Sequence, residues 1–440
     1  MLQDLDTAVL PRAAAMYAAG DMADGSGSGD PATAAFLRGL GYAGAGSGAE
    51  PSRHRLALLR AAAGFERLFS LAAPCAPGLV LFGAVVRPET GRDPSVPQAP
   101  GSVTGSGLDF ASAFESCVGE GVEFLSQFEC DGDRIAPPDG APVIDAFPGA
   151  AGAPAPSGDA VAATDLRSGD PILLPFERCI RPPGAAGMGA GPFIYGTGCG
   201  AGGSFAAAAL HGLYELIERD AVALWWWGRR RGRPLAVEAG GLRDAADLLA
   251  VLRRGESGRL SWFLDLTTDI GVPAVAALSA DEAGGYVACG TASRTTRGAA
   301  LAAAIREMCQ MELAYDVVRA KLAEGGPEAL NAADRRHLGR AENIHAETCV
   351  HLHPSGAPRP PVDLADDASG PEGALQAVVA RLAAAGAASY AVDLTRPAFQ
   401  IPVVRAVVPA LQLYPSDIVT PRLRQCFEAA GTDQPLYPLH

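Results

Sequence analysis

Three stretches of this 440-residue chain repeat one pattern, and that repeat limits the possible folds more than any other feature. The first is DFASAFESCVGEGVE, from Asp109 to Glu123. The second is SFAAAALHGLYELIE, from Ser204 to Glu218, and the third is TRGAALAAAIREMCQ, from Thr296 to Gln310. Each opens on a residue whose side-chain oxygen caps helices well. Each carries a glutamate eleven residues later (Glu120, Glu215, Glu307) and a second polar group three beyond that (Glu123, Glu218, Gln310). Each is also preceded by glycines and small residues: SVTGSGL, YGTGCGAGG and YVACGTASRT. The pattern reads as strand, tight loop and capped helix, three times over. A helix N-terminus presents unpaired N–H groups and the positive end of the helix dipole, which suits phosphate. The starts lie 95 and 92 residues apart, too far for a solenoid period.

Helical geometry sharpens this reading. In the second copy Leu210, Leu213, Tyr214, Ile217, Ala221 and Leu224 form one apolar stripe. Glu215 and Glu218 share a flank of that helix, roughly 110° from the stripe's centre, where they can face a cavity while the helix stays docked. In the first copy Phe114, Val118, Val122 and Leu125 form the stripe, and Glu120 and Glu123 fall nearly opposite, which reads as a solvated face. In the third, Glu312 falls inside the stripe of Leu301, Ile305, Met308 and Tyr315. A carboxylate there needs a partner, for which Arg319 is the candidate. Glutamates gathered from several helices suit Mg²⁺, a hard cation that bridges carboxylates to nucleotide phosphates. No GxxxxGK[ST] sequence occurs, so a P-loop is excluded.

The remaining sequence sets bounds. The net charge of −14 disfavours nucleic acid as a partner. The local basic run Arg229, Arg230, Arg231 and Arg233 after Trp225–Trp227 reads as the solvated end of a helix. No apolar run is long enough for a membrane span, and the N-terminus lacks the features of a secretory signal. Nine cysteines without a CxxC pair fit core positions in a reducing cytoplasm. A helix is expected near Pro51–Phe69, a strand at Gly78–Val86, a hairpin around Ser168-Gly169-Asp170 and a late strand at Ile401–Val408. The Pro-rich segment Arg87–Ser102 suggests a boundary between a small region, 1–95, and a larger one, 96–440. Alternating strands and long helices in the larger region indicate a mixed α/β or α+β fold.

At these residues the chain resembles the YcaO family. Its hallmark SxxxExxE is matched by Ser116–Glu123, and its ExxER by Glu215-Leu216-Ile217-Glu218-Arg219. GTGCGAGGSFAAAALHGLYELIERDA is similar to the family's Gly-Ala-rich loop and following helix, AIREMCQ to its ExxQ helix, and VDLTRPAFQIPVVRAVVPAL to its late core. The likeness covers roughly residues 100–440. It implies a YcaO-type fold of repeated strand–loop–helix units around a nucleotide cavity, with ATP and Mg²⁺ as cofactors. It also implies Glu120, Glu123, Glu215 and Glu218 as metal ligands, and Ser116, Arg219, Gln310, Arg405 and Glu307 as nucleotide-side residues. The family activates backbone amides of peptides. Its cyclodehydratase branch closes Cys, Ser or Thr of a ribosomally made precursor peptide into azolines by phosphorylating the amide oxygen. Thioamide formation by the same ATP chemistry is a second branch, and a non-catalytic scaffold of a modifying complex is a third reading.

Two departures bear on the branch. Phe124 stands where an arginine often follows the second glutamate, and the C-terminal Gln434–His440 matches a PxPxP-like tail only loosely. His440 is nonetheless the candidate catalytic base if that tail enters the site. Residues 1–95 look too short for a leader-binding region of E1-like type, so a separate partner protein is expected to deliver the peptide, and family members are often homodimers. Cys117 reads as a core cysteine rather than a nucleophile. His345, Cys349, His351 and His353 form HxxxCxHxH, which raises zinc, although an edge strand would show the same alternation.

Overall fold

The computed structural model describes residues 2–19, 30–42, 52–88, 100–139, 141–145, 158–181, 196–237, 241–255, 258–360, 363–364, 370–416, 418–432 and 436. The chain begins with β1 (Leu2–Asp4), α1 (Val9–Ala19), α2 (Pro31–Gly39), α3 (Arg53–Ala63), β2 (Arg67–Leu71) and β3 (Val80–Val86). The first repeat follows as β4 (Gly101–Gly107) and α4 (Phe110–Ser126). A hairpin, β5 (Ala160–Asp165) and β6 (Pro171–Pro175), leads through α5 (Phe176–Cys179) to the second repeat, β7 (Cys199–Ala201) and α6 (Phe205–Trp226). Then come β8 (Arg233–Pro234), α7 (Gly241–Arg253), β9 (Arg259–Asp265) and β10 (Ala274–Asp281). The third repeat is β11 (Ala288–Ser293) and α8 (Arg297–Gly325). The chain closes with α9 (Ala332–Asn343), α10 (Gly370–Ala384), β12 (Tyr390–Asp393), β13 (Val403–Val407) and α11 (Pro421–Ala430).

The strands form three antiparallel sheets, ordered β1-β2-β3-β4, β6-β5-β12-β13-β7 and β11-β10-β9-β8. With helices laid on them the fold is mixed α+β, as the alternation of elements implies. All three expected repeats are present, and each begins as its cap predicts. Asp109 accepts the Ser112 N–H at 2.7 Å, Ser204 that of Ala207 at 3.2 Å and Thr296 that of Ala299 at 3.2 Å. Each repeat strand is the end strand of its own sheet, and each helix packs on it at unusually close range. The reason is a glycine in each strand. A Cβ at Gly105 would sit 2.0 Å from the Cys117 nitrogen, one at Gly200 2.5 Å from the Ala208 carbonyl oxygen, and one at Gly290 2.2 Å from the Ala304 carbonyl oxygen.

The units also interlock in cyclic order. Helix α4 touches β7 of the second unit, α6 touches β11 of the third, and α8 returns to β4 of the first. The helices therefore stand around a common centre, and their non-core flanks face it. This corrects the expectation that Glu120 and Glu123 lie on a solvated face. Phe114, Val118 and Val122 are buried on the sheet side of α4, and the opposite face is a cavity wall.

The Pro-rich segment at the expected boundary lies mostly outside the described residues, but the strands on either side of it pair: β3 with β4, from Val80↔Gly107 to Val86↔Gly101. One core joins α1, α2 and α3 to α4 and to strands of the second sheet. The helix expected near Pro51–Phe69 ends earlier, at Ala63, because Gly64 terminates it and Arg67–Leu71 pairs with β3. The hairpin and the late strand stand where expected, with Gly169 at φ +80° in the turn. Glu312 is buried, and its partners are not Arg319. Arg253 grips it with two bonds of 2.5 and 2.7 Å, Arg259 donates at 3.1 Å and the Ser279 hydroxyl donates as well. Arg319 pairs with Asp316 instead. No described helix is long and apolar enough to cross a membrane.

Candidate active site

The repeat helices enclose a cavity of about 610 Å³, within the range of roughly 300–1,000 Å³ usual for cofactor-sized ligands. Its walls carry Glu120 and Glu123 from α4, Glu215, Glu218 and Arg219 from α6, and Glu307 from α8. Ser116, Cys199, Gly202, Gly203 and Arg294 complete much of the lining. Seven of the residues singled out from the sequence thus meet in one place. Gln310, one turn past Glu307, is not among the lining residues. Arg405 lies on β13 opposite Cys199 of β7, buried, and donates to the Cys179 carbonyl at 3.0 Å, so it supports the wall from behind. His440 lies outside the described residues.

The carboxylates are held in a pattern that follows the cyclic packing. The first glutamate of a unit bonds its own strand or loop: Gly198 N–H donates to Glu215 at 2.9 Å, and Thr291 N–H to Glu307 at 2.8 Å. The second reaches the next unit. Glu123 accepts from the Ala201 N–H of β7, and Glu218 accepts the Thr291 hydroxyl of β11 at 2.8 Å. Arg219 lies 3.4 Å from Glu215 and 3.3 Å from Glu218.

Six glutamates line the cavity; Glu115 is taken up by Arg55 and Tyr42, and the other five against Arg219 and Arg294 leave a surplus of negative charge, whose cost the electrostatics show. Glu120 stays open to the cavity, yet desolvation by the surrounding wall pushes it up to about 7, with Glu215 adding to the rise and Arg219 opposing it. Burial raises Glu218 to about 8; Arg219 and the Thr291 hydroxyl resist, and Glu307 adds. Glu123 stands well above the usual carboxylate range through burial and then through Glu120 and Glu215. Glu307 is raised by burial, opposed by Arg219. Burial alone would lower Arg219, but Glu218, Glu215 and Glu307 reverse this and hold it charged. A set of this kind suits cations. Among the described residues no three His, Cys, Asp or Glu side chains close on a single point. Mg²⁺ is a cation that usually completes its shell with phosphate oxygens and water beside one or two carboxylates.

Several contributors carry no signal in the motif. His54 and Leu58 reach the cavity from α3, which is fastened beside it: Glu115 of α4 accepts the Tyr42 hydroxyl at 2.8 Å and lies 3.5 Å from Arg55. Such a long-range latch is invisible in local spacing. His211 also lines the cavity. It lies four residues before Glu215, on the same helix flank, and that spacing is a signal the sequence does offer.

The other candidates resolve differently. Burial raises the Cys117 thiol to about 12, so it stays neutral among core residues. Phe124 packs against Phe128, below the Arg181 guanidinium, at the glycine face of β4. The expected edge strand at residues 345–353 is a 3-10 turn, Val350–Leu352. His353 bonds the Ala346 carbonyl at 2.8 Å and stacks on Trp262, while His351 lies edge-on to Trp226. This fixes the rings by packing, not around a common point. The arginine run follows the end of α6 as expected; Arg231 and Arg233 donate to the His353 and Ala357 carbonyls.

Comparison with known proteins bears on this geometry. Residues 104–412 match the YcaO family, described as YcaO cyclodehydratase, ATP- and Mg²⁺-binding. The match begins within β4, the first repeat strand. Among solved structures, a heterocyclase in complex with substrate and cofactor aligns over 89% of this chain and 56% of its own length, with 20% identity and a TM-score of 0.65. YcaO from Methanopyrus kandleri, bound with AMPPCP and Mg²⁺, aligns over 83% and 90%, with 21% identity and a TM-score of 0.59. The E. coli microcin synthetase McbBCD complex with pro-MccB17 bound aligns over 85% and 96%, with 13% identity and a TM-score of 0.51. A curated protein of Rhizobium leguminosarum bv. trifolii, described as an uncharacterized protein in the tfuA 3' region, is 32% identical over 121 residues, 26% of this chain and 27% of its own length. The chain thus spans little more than half the length of the first heterocyclase and about a quarter of this curated relative.

Proposed function

From a chain that belongs to the YcaO cyclodehydratase family, ATP- and Mg²⁺-binding, we propose an ATP-dependent enzyme that activates backbone amides of a ribosomally made precursor peptide. The specific reaction is cyclodehydration of Cys, Ser or Thr to azolines. The observation that carries this reading is the surplus of five converging glutamates over two guanidinium groups. Glu120, Glu123, Glu215, Glu218 and Glu307 would hold Mg²⁺, and Arg219, Arg294 and Ser116 would face phosphate oxygens. When bound, Mg²⁺·ATP supplies the phosphoryl group that makes an amide oxygen a leaving group. The chain's own task is placement and charge stabilisation. Glutamates fixed by backbone N–H groups and by the neighbouring unit hold their positions before any ligand arrives, so little reorganisation is left to the reaction.

A separate partner is proposed to deliver the peptide, in keeping with a fold shared with a protein from a multi-subunit synthetase complex. A cytoplasmic setting suits nine cysteines that are all free. The test is calorimetric titration of Mg²⁺·ATP into wild type and into Glu215→Ala/Glu218→Ala, followed by mass spectrometry of peptide products. Binding lost in the variant supports the site, and loss of one water per modified residue supports cyclodehydration. Exchange of oxygen for sulfur in the product would move the assignment to thioamide formation. Absence of Mg²⁺·ATP binding by wild type would leave only a scaffold role.

A further inference from the structure

His211 is held in one tautomer. Its Nδ1 lies 2.8 Å from the Ala201 carbonyl oxygen, which can only accept, so Nδ1 carries the proton. In the neutral ring Nε2 is then a bare lone pair, and the ring lines the same cavity as the five glutamates. Its surroundings keep it neutral. The surrounding cavity wall lowers its pKa by desolvation although the residue stays open to solvent; the bond to Ala201 opposes this, and the Arg294 cation lowers it further. The charged groups around the cavity are Arg294 at the end of β11, Glu215, Glu218 and Arg219 on its own helix, Glu115, Glu120 and Glu123 on α4, and Glu307 on α8. His54 of α3 is a further titratable lining group.

The cavity otherwise offers little that could take a proton from a nucleophile. The glutamates that could do so are committed to cations in the reading above, and the buried thiols of Cys117 and Cys199 are pushed up by burial. An imidazole with a fixed tautomer, a lone pair on the open side and a lowered pKa meets the geometric requirement for general-base catalysis.

We propose that His211 is the general base of the reaction, accepting at Nε2 the proton of the peptide side chain that attacks the amide. This rests on the amide-activation reading. The S–H or O–H bond breaks and the proton goes to Nε2, while the sulfur or oxygen forms a bond to the carbonyl carbon. The carbonyl π pair moves to oxygen, which takes the phosphoryl group as the P–O bond to ADP breaks. The amide nitrogen then loses its proton to cavity water and forms C=N as phosphate departs, carrying away the proton stored on His211.

The variant to test is His211→Asn, whose side-chain amide can keep the bond to Ala201 but has no basic lone pair. Long-range proton–nitrogen correlation spectra of the full chain labelled in histidine should show one ring protonated at Nδ1, with a midpoint below the ordinary value of about 6.5, that disappears in the variant. Mg²⁺·ATP binding should be unchanged. ATP consumption driven by a synthetic peptide with an internal Cys should fall about a hundredfold. With Ser in its place the loss should be at least about tenfold greater, because a thiol ionises near 8.5 and a hydroxyl far above it. An Nε2-protonated ring, lost Mg²⁺·ATP binding in His211→Asn, or equal losses for Cys and Ser peptides would each overturn the assignment. Wild type that binds no Mg²⁺·ATP would refute the amide-activation reading instead, while the spectra still report the tautomer.

Discussion

The close contact of β11 with α8 makes Gly290→Ala an informative perturbation. The added Cβ would lie 2.2 Å from both the Ala304 carbonyl oxygen and the Met308 nitrogen, about 1.2 Å short of ordinary contact. Both are backbone atoms of a helix interior and cannot rotate aside. The helix must therefore lift from the strand by about that distance. Glu307 rides on the same turn and would leave the Thr291 N–H it now meets at 2.8 Å. Overpacking of this kind costs about 1–3 kcal/mol. A displacement of about 1 Å in a positioning group can cost about a hundredfold in function. The expected variant is folded by circular dichroism, melts at lower temperature and binds Mg²⁺·ATP some tenfold to a hundredfold more weakly by calorimetry. A folded Gly290→Ala protein with wild-type affinity would refute the idea that strand glycines set the position of the glutamates. By the same reasoning Gly105→Ala and Gly200→Ala should behave alike, since each precedes its unit's first glutamate by fifteen residues and faces helix backbone just as closely.

Mg²⁺·ATP binding should strengthen as pH rises through about 7 and about 8, where Glu120 and Glu218 lose their protons; titrations at several pH values check this. These carboxyls are raised in the folded state, which therefore binds more protons than the unfolded one. The stability of the free protein should accordingly fall from about pH 4.3 up to about 8. Denaturation at saturating Mg²⁺·ATP should show that fall reduced. Glu312→Gln leaves Arg253 and Arg259 without their charge partner and should cost about 3 kcal/mol in urea unfolding, as breaking a buried pair usually does. Asp109→Ala removes the cap of α4 and should cost about 1 kcal/mol by the same assay. Gly119→Ala, in a helix position with no atom within 4 Å of the new methyl, should instead stabilise by up to about 1 kcal/mol.

The legible part of this chain is what depends on near neighbours in sequence. Caps, loop glycines and the spacing of glutamates are local, and all three repeat helices begin at the residues those signals name. What the sequence hides is set by elements far apart. Glu312 finds Arg253 and Arg259 on α7 and β9, not the Arg319 seven residues away. His54 comes to the cavity on α3, where its neighbour Arg55, together with Tyr42, meets Glu115 of α4. The face of α4 that bears Glu120 looks solvated when that helix is considered alone, because periodicity measures polarity and cannot distinguish bulk water from a cavity shared by three helices.

The cyclic packing gives a physical reason for the repeat itself. A single strand–helix unit can fix its first glutamate with its own backbone, as Gly198 does for Glu215 and Thr291 for Glu307. It cannot also hold its second, which points past its own strand. That group is fixed by the following unit: Glu123 by Ala201, Glu218 by Thr291. Thr291 serves both kinds of bond at once, its N–H to Glu307 and its hydroxyl to Glu218, and so ties two units together at the cavity wall. Carboxylates this close repel one another and resist ionising, which their raised pKa values record. The bonds between units hold them together nonetheless. A cavity built in this way keeps its charge in place before a ligand arrives, and cations bound there would relieve a repulsion the fold already sustains.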